Sequence, residues 1–138
     1  MKLENQVCSL KLAKKLKELG VKQKSLFEWQ SYAENEGTES YWGLYYLKCE
    51  NDWRYAEDRC SAYTVAELGE MLPKQMLVGN EVTIFQSLSA GNWVVYYGSK
   101  NGTAEFLGDD QISTFDDTEA DARATMLIYL FENNLITL

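Results

Sequence analysis

Histidine is absent from this chain. That removes the commonest general base, the commonest zinc ligand and every Ser-His or Cys-His nucleophile arrangement at once. No Gly-rich phosphate loop, P-loop or nucleophile elbow occurs, and residues 98–102 read as an ordinary turn. Long apolar runs are missing too: nothing approaches the roughly 20 apolar residues that cross a bilayer. The opening Met1-Lys2-Leu3-Glu4-Asn5-Gln6 also lacks the apolar segment of a signal peptide. The expectation is a non-enzymatic protein that stays where it is made, with no cofactor and no membrane partner. Cys8, Cys49 and Cys60 make an odd count without Cys-x-x-Cys spacing. They read as reduced thiols, mostly in the core, in preference to a Cys49–Cys60 bridge.

What is present fits one globular domain over residues 1–138. The chain is 46% hydrophobic and 13% aromatic, with a single proline, Pro73, and a chain of this length buries roughly two-thirds of its unfolded surface. No repeat or low-complexity segment interrupts it. The net charge of −8 is unevenly spread. Residues 1–24 carry Lys2, Lys11, Lys14, Lys15, Lys17, Lys22 and Lys24 against Glu4 and Glu18, whereas the remainder is strongly acidic. An acidic chain repels polyanions, so a nucleic-acid contact would have to be local to this N-terminal segment.

The pattern of residues predicts three helices. Ser9 caps a helix to about Leu19, with Leu12, Ala13, Leu16 and Leu19 on one face and Gly20 as its stop. Thr64 and Glu67 form a capping box for a short helix over 65–72, ended by Pro73. Thr118 and Asp121 offer a second box for a long helix to about Asn134, apolar nearly all round from Ala124 to Phe131. Five strands are expected, over 26–32, 41–48, 82–88, 93–97 and 103–107. The last two would be joined across Asn101-Gly102, a strong hairpin signal. The first strand is ambiguous, because Phe27 and Trp29 alternate like a strand while Leu26 and Trp29 stand three apart like a helix; strand is favoured. The order of elements implies an α+β fold, one antiparallel sheet of about five strands covered by the three helices.

Three groups of residues are candidates for function. Residues 12–23 resemble the first helix and turn of a helix-turn-helix reader, with Lys11, Lys14, Lys15, Lys22 and Lys24 as phosphate contacts. The motif's usual small residue four before the glycine is here Leu16, and a solvated amphipathic helix explains the same pattern. The acids Asp109, Asp110, Asp116, Asp117, Glu119 and Asp121 are hard oxygen ligands by type, but they lack the order of a calcium loop and suit the start of a helix. The third group is aromatic: Tyr41, Trp42, Tyr45, Tyr46, Trp53, Tyr55, Trp93, Tyr96 and Tyr97. Alternation sends about half of each strand inward. The candidate interface residues on an outer sheet face are Trp42, Tyr45, Tyr46, Trp53, Trp93 and Tyr97.

Three blocks carry a resemblance. They are Leu12-Ala13-Lys14-Lys15-Leu16-Lys17-Glu18-Leu19-Gly20 within residues 7–23, Val65-Ala66-Glu67-Leu68-Gly69 within 63–73, and Ala120-Asp121-Ala122-Arg123-Ala124 within 119–130. All three resemble small phage and prophage proteins of gut bacteria that have no known activity. The resemblance implies an accessory gene of phage origin and a bacterial host cytoplasm. The leading expectation is a module that binds another protein through an aromatic sheet face. Nucleic-acid binding through the basic N-terminal segment is the alternative, and a carboxylate-dependent hydrolase comes third.

Overall fold

A computed structural model of the protein describes residues 2–33, 37, 39–47, 56–78, 81–99 and 112–137. The expected strand over 103–107 and its Asn101-Gly102 turn lie outside the described residues, as do Cys49 and Trp53. After a short 3-10 turn at Leu3–Asn5 the order is α1 (Leu10–Glu18), β1 (Phe27–Tyr32), β2 (Tyr41–Tyr46), β3 (Asp58–Ser61), α2 (Val65–Met71), β4 (Gln75–Val78), β5 (Glu81–Ala90), β6 (Asn92–Ser99), β7 (Ser113–Asp116) and α3 (Glu119–Glu132). The class is α+β.

The strands form two antiparallel sheets and not one. Their orders are β2-β1-β3 and β4-β5-β6-β7. The reason is local: β3 returns to the free side of β1, completing the first sheet before α2 and Pro73 turn the chain away to start the second. β3, β4 and β7 have four residues each, too few for a period of two to register.

α1 ends as its sequence requires. Gly20 has φ +84°, and the N–H groups of Gly20 and Val21 donate to the carbonyls of Lys17 and Leu16 at 3.0 Å each. This is a Schellman closure, in which only glycine takes the left-handed position without strain. Its start corrects the expectation: the Ser9 side chain makes no cap hydrogen bond. Instead the Ser9 N–H donates to Asp121 Oδ1 at 2.6 Å. Asp121 therefore does not complete a reciprocal box on α3, although Thr118 Oγ1 does accept from the Asp121 N–H at 3.1 Å. The box on α2 is complete.

One buried cluster draws on both sheets and all three helices, with Ala13 and Leu16 of α1, Cys60 of β3, Leu68 of α2, Val95 and Tyr97 of β6, and Met126, Leu127 and Leu130 of α3. Cys8 and Cys60 are free thiols inside it. Burial pushes them up to about 12 and about 11, so neither supplies a thiolate at neutral pH.

Asp121 gives the fold a pH signature. Desolvation raises its pKa, helped by the nearby Asp116 and Asp117 charges and opposed by the Ser9 hydrogen bond. The folded protein thus holds this proton more tightly than the unfolded chain does. The carboxyl contributes stability that is complete below the ordinary aspartate value of about 3.9 and is lost as the pH rises through the higher folded value. Asp121→Asn keeps an oxygen for the Ser9 N–H and removes the buried charge. Urea unfolding from pH 3 to 7 is expected to show the variant within about 1 kcal/mol of wild type, or above it, at pH 7. Its stability profile should also be flatter than that of wild type over this range. A variant that is clearly weaker at pH 7, with an unchanged profile, would contradict the assignment.

Candidate functional site

The second sheet has two unlike faces. Thr114 Oγ1 donates to the Ala122 carbonyl at 2.9 Å, which sets its face towards α3. Its ladder partner Val95, and Tyr97 two positions on, share that face. Both are fully buried, and the Tyr97 hydroxyl donates to the Pro73 carbonyl at 2.8 Å. The alternate positions must look the other way. There the ladder aligns Leu88, Val94 and Phe115 in one row across β5, β6 and β7.

In the next row the Tyr96 hydroxyl donates to Gln86 Oε1 at 2.7 Å. The Tyr96 ring lies over Gly98, where a Cβ would come within 2.8 Å of it. A flat aromatic lid is thereby laid along the sheet. The apolar row beside it is open at its two ends, with Phe115 59% exposed and Leu88 40%, while Val94 between them is buried. Register places Leu77 of β4, 69% exposed, on the same face. No described helix packs on this side. The inward alternation of Tyr97 and Thr114 determines the direction of the whole row, since period two leaves Leu88 and Phe115 no inward option.

A cleft of about 450 Å³ opens where the two sheets meet, between Phe27 of β1 and Trp93 of β6, at the starts of α2 and α3. Three of its polar groups are already engaged. Thr64 and Thr118 cap their own helices, and Glu119 Oε1 accepts from the Arg123 guanidinium at 2.5 Å. Among the described residues no three Cys, Asp or Glu side chains gather to hold a metal. Asp109 and Asp110 lie outside the described residues. The neighbouring acids are distributed along β7 and the first turn of α3, where the helix dipole favours them.

The structure separates the aromatic residues named from the sequence. Tyr97 belongs to the core and is no interface residue. Trp42 and Trp93 are half-buried and pack against the core from the inner faces of the two sheets, and the Lys14 ammonium sits 4.2 Å from the Trp42 ring centroid. Both are therefore corrected from outer to inner face. Tyr45 is half-buried on the other face of the first sheet, with its ring over Gly43. Tyr46 is exposed beside Phe27, with ring centroids 5.1 Å apart, and by register it lies on the same face as Trp42, so it too is corrected from the outer face. The open apolar residues that sequence reasoning missed are Leu77, Leu88 and Phe115. Phe115, between Thr114 and Asp116, carries no signal of which side of a sheet it takes.

The lysines are divided as well. Lys15 pairs with Glu132 at 2.9 Å, and Lys17 with Asp58 at 2.9 Å. Lys11, Lys22 and Lys24 are exposed and make no ion pair among the described residues. Residues 27–32 are a strand paired with β2, so no second helix follows α1. The intervening segment is tied down by Gln23, whose Oε1 accepts from the Ser61 N–H at 2.8 Å while its Nε2 donates to the Val21 carbonyl at 2.8 Å. The helix-turn-helix geometry is therefore not formed. No described helix is long and apolar enough to cross a membrane. The fold class is thus an α+β protein with one open apolar sheet face. Comparison with family models, curated proteins and solved structures finds no match to the chain.

Proposed function

We propose that this chain is a non-enzymatic module that binds another protein through the open face of the four-stranded sheet. The observation that carries this reading is the row Leu88, Val94 and Phe115, two of whose three members are solvent-exposed on a continuous ladder. Large exposed side chains aligned on a rigid sheet offer an anchor at low entropic cost, and their apolar area is released from water on docking. The resemblance of the helical blocks supports a phage-derived accessory protein working in a bacterial cytoplasm.

The test is the double variant Leu88→Lys, Phe115→Lys. Both side chains are exposed, so unfolding stability is expected to stay within about 1 kcal/mol of wild type. Against bacterial lysate, a protein retained by wild type should be lost, and its affinity, once it is purified, should fall roughly 30-fold or more. Equal retention by the two proteins would overturn the reading.

A further inference from the structure

Among the described residues the two sheets have four outer edges, and three of them are blunted. β3 has four residues and carries Asp58 and Arg59. β4 has four and follows Pro73-Lys74. β7 has four and ends in Asp116. Short strands, charges and neighbouring proline are the devices that keep sheet edges from pairing with other chains. β2 has none of them. It is six residues long, Tyr41-Trp42-Gly43-Leu44-Tyr45-Tyr46, without a charge or a proline, and its register with β1 is unbroken.

The ladder shows which backbone groups this edge presents. The Leu47 N–H donates to the Leu26 carbonyl at 2.9 Å, continuing the register in which Phe27 faces Tyr46. In an antiparallel pair hydrogen-bonded positions alternate. The peptide groups of Tyr41, Gly43 and Tyr45 are therefore turned to β1, and those of Trp42, Leu44 and Tyr46 point away from it. Among the described residues β2 has no neighbour on that side. The surface around this edge is also apolar, with Leu26, Tyr41, Tyr46 and Leu47 all exposed.

Independently of the function proposed above, we infer that β2 is a dimerisation edge, pairing antiparallel with β2 of a second copy so that the two three-stranded sheets become one of six strands. The occupant follows from self-complementarity. Outward-facing peptide groups on even-numbered residues must meet the same set, and a two-fold axis through Leu44 does this without a gap. Leu44 faces Leu44 of the second copy, and Trp42 faces its Tyr46. On the other side of the sheet the side-chain-free Gly43 faces its Tyr45. Such an isologous contact closes on itself and leaves no β2 edge free for further addition. No charged side chain lies between residues 40 and 47, so the axis brings no like charges together.

Amide hydrogen exchange of the full wild-type chain over a concentration series, with mass measured by light scattering, tests this directly. In dilute monomer the N–H groups of Trp42, Leu44 and Tyr46 should exchange fast while those of Gly43 and Tyr45 are protected by β1. As the mass doubles, the three outer amides should slow by roughly tenfold or more. Mixing gives a second readout. Leu44→Lys sets two ammonium-bearing residues roughly 5.5 Å apart between Cα atoms across the axis, and Leu44→Glu does the same with carboxylates. Each variant alone should be monomeric, and an equimolar mixture should recover the dimer. A protein that stays monomeric at high concentration with fast outer amides would overturn the inference, as would a dimer whose outer amides remain fast. Outer amides already protected in the monomer would overturn it too.

Discussion

Glu67→Ala is expected to lower the unfolding free energy by about 2–4 kcal/mol, far more than a surface change on a seven-residue helix should. Glu67 Oε2 accepts from the Thr64 N–H at 2.7 Å, the Thr64 hydroxyl at 2.9 Å and the Ser25 hydroxyl at 2.9 Å, while Oε1 accepts from the Leu26 N–H at 3.1 Å. One carboxylate thus fastens the start of α2 to the segment that leads into β1. Truncation strips the acceptor from two peptide N–H groups and from the Thr64 hydroxyl, whereas the Ser25 hydroxyl can turn to the Ala62 carbonyl at 3.0 Å; bonds to a charged acceptor are the stronger kind. Glu67→Gln keeps two polar atoms but turns one into a donor, so it should fall between wild type and alanine. Glu70→Ala, exposed on the same helix, should stay within about 0.5 kcal/mol of wild type. Urea titrations of the three variants decide the matter. Equal losses for Glu67→Ala and Glu70→Ala would mean that the clasp carries no energy.

This clasp shows how far the sequence could be read. Thr64 followed three residues later by Glu67 announces the capping box, and the structure forms it. Nothing local says that the same carboxylate also serves Ser25 and Leu26, some forty positions away. Ser9 shows the converse: its residue type predicts a side-chain cap that is not made, while its backbone N–H is held by Asp121 from the far end of the chain. Gly20 was readable because a Schellman closure is complete within six residues. β1 was readable as a strand from the alternation of Phe27 and Trp29.

The division into two sheets was not readable, because it depends on β3 pairing back across β1, a choice made by tertiary contacts and not by four residues of pattern. The same limit governs the candidate face. Alternation implies that half of the aromatic residues point out, but not which half. Tyr97 and Phe115 are similar in type, and they were sorted by where α3 lies, one to the core and the other to the open side.

The placement of α3 leads to the other large effect, Leu127→Ala, for which a loss of about 3 kcal/mol is expected, or roughly 10 °C in Tm. Leu127 is fully buried, with Met126 and Leu130 on one side of the helix and Ala120, Ala122 and Ala124 in its preceding turns, all of them fully buried as well. A helix enclosed over so much of its surface cannot relax inward to fill the space of a deleted isobutyl group, so most of the cavity remains and the cost lies well above the transfer term alone. Tyr129→Ala, two residues on, supplies the control. Its ring is 40% exposed, and alanine is the better helix former, so the change should be within about 0.5 kcal/mol of neutral. Calorimetry of the two variants separates an embedded helix from one merely laid on the surface, and similar shifts in Tm would contradict the packing described. The pair also bears on function. α3 supports the inner side of β6 and β7 through Val95, Tyr97 and the Thr114 to Ala122 hydrogen bond, so the open row of Leu88, Val94 and Phe115 is only as flat as that support is firm. A partner that docks on this row should be lost on Leu127→Ala in step with unfolding, whereas Phe115→Lys should release it from a protein that is still fully folded.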